Sequence, residues 1–260
     1  MRGALVLLYG IVCYLVFFLA FLYAIAFVGD ASFVPHTVNR GFAAASVAEA
    51  VVIDAILLGI FAIQHSGMAR RSFKRWLTRW MSPSIERSSF VLASSLALIL
   101  LYWQWRPLPG LIWDVGHGWA WWALYAASAL GWLIVLTGTF VINHFDLFGL
   151  RQVWYAARRQ KPPPLEFVER FYYSMVRHPL MLGFIIAFWA IPRMTAGHLL
   201  FAIATTGYIL IAVKFLEERD LVALHGEAYR DYRERVPMIC PWPRPRQKTA
   251  QEHELRPARR

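Results

Sequence analysis

The chain has 260 residues, is 58% hydrophobic and 16% aromatic, and carries a formal net charge of +11. That apolar content excludes an ordinary soluble domain, because several runs approach the roughly 20 residues that cross a bilayer as a helix. The charge is confined to particular loops, so it reads as membrane topology rather than as a nucleic-acid surface.

The first apolar run, residues 4–28, follows one arginine and lacks a cleavage-site pattern, so it reads as a retained helix, not a signal peptide. The link 29–41 carries Asp30, His36 and Arg40, with Pro35 as a breaker. A second helix is expected over 42–63, a third over 89–105, ended by Arg106-Pro107, and a fourth over 119–142. A polar stretch then runs to Arg177, stiffened by Pro162-Pro163-Pro164. A fifth helix starts at Pro179 and meets Pro192 after about 13 residues, or ~20 Å, which is short for a span. The sixth covers 195–215. The fold class is therefore all-α: a polytopic membrane protein with six crossings, or five and a re-entrant element. Residues 1–245 read as one domain and 246–260 as a basic disordered tail.

Charge sets the orientation. One loop holds Arg70, Arg71, Lys74, Arg75, Arg79 and Arg87, and another holds Arg151, Arg158, Arg159, Lys161, Arg170 and Arg177. The alternate loops hold Arg40, Arg106 and Arg193. The positive-inside rule puts both termini and the basic loops in the cytoplasm. Cys13 lies in an apolar run and Cys240 near the tail, so neither a disulfide framework nor a zinc cluster is indicated, and no metal is expected.

Residues 177–241 concentrate the polar pattern. Arg177-His178-Pro179 precedes an apolar hairpin, Glu217-Glu218 follows it, and Tyr229 and Tyr232 come after Gly226. His178 precedes a proline, which disfavours helix, whereas Pro179 suits a first helical position. Arg177 and His178 thus sit at a helix mouth that favours an anion. If the sixth helix continues, Glu218, Val222, His225, Tyr229 and Tyr232 share one face, unless Gly226 interrupts it. Such a mouth, facing carboxylates and tyrosines, suits a zwitterion. The same residues also read as interface charges and belt tyrosines.

This pattern resembles the isoprenylcysteine carboxyl methyltransferase superfamily of integral-membrane enzymes. Met181 stands where that motif commonly has an aromatic residue. Over residues 5–245 the chain resembles a narrower group, the bacterial methanethiol S-methyltransferases. That resemblance rests on Gln64-His65-Ser66-Gly67-Met68-Ala69-Arg70-Arg71, Glu86-Arg87-Ser88, Trp103-Gln104-Trp105-Arg106-Pro107 and the run from Asn143-His144 to Gln152. It implies S-adenosyl-L-methionine as cofactor, held by Arg177, His178, Glu217, Glu218, Tyr229 and Tyr232, and a small thiol as substrate.

A thiol reacts as thiolate, and one with a pKa near ~8.5 is only a few per cent ionised at neutral pH. His144 is the first candidate base, with Asp146 as orienter or alternative base. Asn143 and His144 also read as a plain helix C-terminal cap. His65 is the second candidate. It shares a helix face with Asp54, roughly 16 Å away along the axis. Asp54 lies inside an apolar span and needs a polar partner in the bundle. Arg70, Glu86, Arg87, Asn143 and Gln152 are candidates for the substrate or surrounding shell, or plain surface charges. Two other functions remain open: methylation of a prenylated or other hydrophobic acceptor, and a non-enzymatic membrane assembly or transport role.

Overall fold

The computed structural model describes residues 2–164 and 167–241. The expected tail, 246–260, lies outside the described residues. Helices α1 (Arg2–Val28), α2 (Val47–Ala69), α4 (Pro83–Gln104) and α5 (Trp119–Ile142) are long and apolar enough to cross a membrane. So is the run Ala196–His225, made of α10 (Ala196–Ala212), a π-helical turn (Val213–Glu217) and α11 (Glu218–His225). The short helix α3 (Arg71–Leu77) follows α2. Three more, α6 (His144–Leu147), α7 (Leu150–Ala157) and α8 (Tyr172–Met175), occupy the polar stretch after α5. Helix α9 (Pro179–Trp189) is apolar but has only 11 residues, and α12 (Glu227–Arg235) closes the described chain. The chain is a polytopic helical membrane protein. Five helices are long enough to span. The short α9 runs between the same two ends, from the end with the basic loops to the strand Arg193–Thr195. The described chain thus passes between those ends six times, as the six-crossing expectation has it.

Two helix starts differ from expectation, and local chemistry explains both. Helix α2 begins at Val47 rather than 42, because the extended Ser46 accepts the Glu49 N–H while Glu49 reaches back to the Ala45 N–H. Helix α4 begins at Pro83 rather than 89, with Ser82 as cap and proline in its first turn. At the other end α2 continues six residues past 63, through Gln64, His65 and Ser66, to Ala69. Falling hydropathy there marks the membrane boundary, not the helix end.

Both ends of the bundle are tied. At one end, strands β1 (Leu111–Asp114) and β2 (Arg193–Thr195) form an antiparallel ribbon, with Trp113 opposite Met194. Asp30 accepts from Thr37 and Asn39 there, and Thr195 caps α10. Asp54 finds the partner it requires: its Oδ1 accepts the Arg106 backbone N–H at 2.8 Å, just past α4. The other end gathers the start of α1, the end of α2, α3, the start of α4, α6 to α9 and α11 to α12. Most expected site residues lie on this basic end.

Small residues set the depth of α9. Lipid gives no hydrophobic drive for helix pairing, so close backbone approach and dispersion must supply it. A Cβ on Gly131 of α5 would lie 2.6 Å from the Gly183 carbonyl, and one on Gly183 would lie 2.7 Å from the Gly131 carbonyl. Ser128 donates to the Ala187 carbonyl in the same seam. Gly131→Ala should therefore push α5 and α9 apart and destabilise the protein by about 1–3 kcal/mol. A thermal unfolding midpoint unchanged from the parent would refute this reading of the seam. At the basic end Leu180 abuts Gly138, four residues before the end of α5. The α9 mouth is thus recessed by about one helical turn, ~6 Å.

Candidate active site

The recessed mouth is lined by charge. Arg177 is buried, and its Nε and Nη2 lie 2.7 and 2.5 Å from Glu218 Oε1. Its Nη1 donates to the Arg233 and Val236 carbonyls at the end of α12. His178 Nε2 lies 3.3 Å from Glu218 Oε1, and its Nδ1 lies 3.6 Å from Glu217 Oε2. Arg233 Nε lies 3.3 Å from Glu218 Oε2. The backbone N–H groups of Arg177 and His178 donate to the Pro237 and Met238 carbonyls. The C-terminal return is thereby stitched across the start of α9.

Two backbone features create this convergence. Glu217 ends the π turn and Glu218 begins α11, and adjacent helical residues project about 100° apart, so the two glutamates face different sides. Glu218 turns inward with its side chain 5% exposed, while Glu217 stays 45% exposed. Gly226 has φ +61 and ends α11, so α12 folds back. Without that reversal Arg233 would lie ~22 Å along the helix from Glu218. The expected single face from Glu218 to Tyr232 is thus broken at Gly226, yet the fold-back returns both tyrosines to the cluster. Tyr232 donates to the Tyr173 carbonyl at 2.6 Å, and Phe167 packs on both Tyr229 and Tyr232. The buried Tyr229 hydroxyl has no hydrogen-bond partner among the described residues. Burial, and the nearby carboxylates of Glu218 and Glu217, push its pKa up.

Burial alone would lower the His178 pKa, but the carboxylates of Glu217 and Glu218 outweigh it and hold it at about 9. His178 is therefore an imidazolium at neutral pH, and Arg177, His178 and Arg233 all lie within 4 Å of the Glu217 or Glu218 carboxylates. A folded-state pKa above the unfolded value near ~6.5 stabilises the protein fully below that value. The contribution disappears as pH rises through about 9. The unfolding midpoint should fall between pH 6.5 and 9, and His178→Gln should flatten that slope. An equal slope in parent and variant would refute the pairing.

His144 is placed differently. It is buried, stacked on Phe140 with centroids 4.2 Å apart. Its Nδ1 lies 2.8 Å from Thr139 Oγ1 and its Nε2 lies 2.8 Å from the Tyr14 hydroxyl. Thr139 gives its own proton to the Leu136 carbonyl at 2.6 Å, so it accepts from His144 Nδ1–H. His144 Nε2 then accepts from Tyr14. Burial also pushes the His144 pKa down. Asp146 does not orient His144. Its carboxylate takes Arg151 at 2.9 Å and Gln152 at 3.2 Å, and its N–H is capped by Asn143 Oδ1. Asn143, Asp146 and Gln152 thus brace the corner between α5 and α7. A cavity of about 490 Å³ opens nearby, between α1 and α7, with Asn143 and Arg151 on its lining. Its lining includes none of the Arg177–Glu218 cluster.

His65 stacks on Phe61, and the Phe90 ring lies 5.0 Å away, tilted against it. Its Nδ1 lies 3.1 Å from Ser94 Oγ, whereas its Nε2 makes no hydrogen bond among the described residues. Arg87 donates to the Leu147 carbonyl at 2.7 Å and lies 5.0 Å from the Phe90 ring. The Glu217 charge acts on His65, Tyr173, Tyr208 and Tyr229. Arg70 pairs with Asp220 at 3.3 Å, tying α2 to α11. The Glu86 charge acts on Lys74 and Arg87. Sequence reasoning missed Tyr14, Thr139, Ser94, Tyr173 and Arg233, which reach the site through tertiary contacts with no local pattern. Among the described residues no group of three His, Cys, Asp or Glu side chains could hold a metal.

Residues 54–238 match the family described as NnrU protein. The chain is 57% identical over 243 residues to a Mycobacterium tuberculosis protein named methanethiol S-methyltransferase, covering 94% of this chain and 98% of that one. It is 52% identical over 237 residues to methanethiol S-methyltransferase 1 of Bradyrhizobium diazoefficiens, covering 91% and 82%. Mouse nurim is 28% identical over 198 residues, covering 71% and 73%. No solved structure matches significantly. The chain therefore belongs to the NnrU family and to the methanethiol S-methyltransferases, within the isoprenylcysteine carboxyl methyltransferase-like membrane superfamily.

Proposed function

We propose that the chain is a membrane enzyme that transfers a methyl group from S-adenosyl-L-methionine to methanethiol, releasing dimethyl sulfide. The observation that carries this reading is the recessed cluster of Arg177, His178, Glu217 and Glu218. It occurs in a chain whose relatives across nearly its full length are named for this reaction.

The residues fit the cofactor. A half-exposed carboxylate, and a buried hydroxyl with no partner among the described residues, suit an amino-acid zwitterion that also carries a sulfonium. When bound, S-adenosyl-L-methionine supplies an electrophilic methyl group on that sulfonium. Glu217 would meet the positive sulfur, and His178 the carboxylate. Tyr229 donates its free hydroxyl, and the rings of Phe167, Tyr229 and Tyr232 offer a ledge for the adenine. Arg177 and Glu218 are satisfied by each other and by the α12 carbonyls, so they position the site. The recess below the end of α5 excludes water and aligns the reactants for in-line displacement.

The basic end faces the cytoplasm of a bacterial inner membrane, by the excess of Lys and Arg in its loops. Both termini lie on that side, and methanethiol reaches the site there.

Purified protein in detergent, given S-adenosyl-L-methionine and methanethiol, should form dimethyl sulfide dependent on both, followed by gas chromatography. Turnover of a prenylated cysteine in place of methanethiol would assign a hydrophobic acceptor instead. Folded protein that neither binds the cofactor nor turns over would overturn the enzymatic reading.

A further inference from the structure

We infer that the segment 71–80, apart from the cofactor cluster, is a docking surface for the headgroups of anionic phospholipids. The segment comprises α3 and the turn after it, and it links two membrane spans, the end of α2 and the start of α4. Only Arg70 separates it from α2 at Ala69, and Met81 and Ser82 separate it from α4 at Pro83. So tethered at both ends, it lies at the membrane boundary, at the depth of the headgroups. No Asp or Glu occurs from Ser66 to Ile85, whereas that stretch carries Arg70, Arg71, Lys74, Arg75 and Arg79. Phe73, Lys74 and Leu77 are half-buried, while Arg71, Arg75, Trp76, Arg79 and Trp80 are exposed. The exposed arginines and the two indoles each recur every four residues, so they form neighbouring stripes on the outer side. Trp76 is 50% exposed and Trp80 80%, and indoles so bare suit the membrane–water interface rather than bulk water.

Unspent charge tells what covers this surface. Arg70 pairs with Asp220 at 3.3 Å, and Arg71 donates to the Asp220 carbonyl at 3.4 Å. These bonds hold the start of the segment against α11. The Arg75 and Arg79 side chains have neither a hydrogen bond nor an ion pair among the described residues. A guanidinium fork matches a phosphate with two parallel hydrogen bonds, and lipid phosphates are the anions present at this depth. The indoles beside the arginines settle at the same headgroup level. Hydrophobic and charged contacts thus meet one partner, an anionic lipid, without bending the segment away from the bilayer. A soluble acidic protein would have to displace headgroups from Trp80 to reach the arginines. Each basic residue close to an anionic leaflet favours it by about five-fold, so Arg75 and Arg79 together give roughly 25-fold over a zwitterionic lipid.

The test uses the purified full chain in nanodiscs of phosphatidylcholine, alone or mixed with phosphatidylglycerol. Retained lipid is read by native mass spectrometry after release from the mixed discs, and stability by thermal unfolding in both. The parent should retain phosphatidylglycerol in preference to phosphatidylcholine. It should also unfold at a higher midpoint in the mixed discs, since a ligand of the folded state stabilises it. Arg75→Gln with Arg79→Gln should cut the preference by about 5- to 25-fold. Neither side chain has a partner to lose, so this variant should match the parent midpoint in phosphatidylcholine alone. Trp80→Ala should weaken retention of both lipids alike, because an indole anchors without reading charge. A salt series on the parent needs no variant: the preference should fade as the screening length drops from about 10 Å at 0.1 M to about 3 Å at 1 M. Equal retention of the two lipids by the parent would overturn the inference and leave the arginines to a soluble acidic partner. An undiminished preference in the double variant would also overturn it, since other cations of the basic end would then carry it. None of these readouts needs turnover, so their failure is distinct from failure of the reaction assigned above.

Discussion

Arg177→Met should destabilise the protein by roughly 3–5 kcal/mol, because it strands a buried charge. Glu218 is buried with a 5% exposed side chain, and Arg177 supplies two of its closest donors. The same guanidinium satisfies the Arg233 and Val236 carbonyls, which otherwise end α12 without partners. Its removal therefore loosens the whole return from Gly226 to Met238, and cofactor binding should vanish with it. The paired replacement Arg177→Met with Glu218→Leu should recover much of the lost stability, since a buried ion pair is replaceable by apolar groups of similar volume. It should not recover cofactor binding, since Arg233 and His178 then lose their anchor. Thermal unfolding in detergent and calorimetric titration separate the two effects. A single variant within ~1 kcal/mol of the parent would show that the pair is not the fastener described.

This pair also marks the limit of what the sequence reveals. The spans were legible because a bilayer demands long apolar runs, and the shortness of α9 was readable from Pro179 and Pro192. The need of Asp54 for a bundle partner was readable too, since an acid inside a span requires one. Its identity, the Arg106 N–H, was not. Arg177 and Glu218 read from sequence as opposite poles for a zwitterion, yet 41 positions apart they bond to each other. Gly226 was visible as an interruption, but its direction depends on a positive φ that sequence does not specify. His144 was the first candidate base because of its neighbours in sequence. Its actual partner, Tyr14, is 130 residues away. Local order predicted helices and caps well; the partners of the two candidate histidines, Tyr14 and Ser94, come from tertiary packing.

Glu217→Gln should leave the fold intact and weaken S-adenosyl-L-methionine binding by about 10- to 100-fold, the worth of one charge-assisted contact. The stability argument rests on exposure: the Glu217 side chain is 45% exposed, and its contact to His178 is 3.6 Å, longer than that of Glu218. The affinity argument rests on position. Glu217 stays half-exposed beside His178, and its charge also acts on His65, Tyr173 and Tyr208. A carboxylate only loosely engaged there can meet a second cation. The demethylated product, S-adenosylhomocysteine, tells which cation. It keeps the amino group and ribose but lacks the sulfonium charge. If Glu217 faces the sulfonium, the substitution weakens the methylated cofactor and spares the product. Equal weakening of both would move Glu217 to the amino group or ribose. The methyl group would then lie farther from His178, and the thiol would have to approach it from another side.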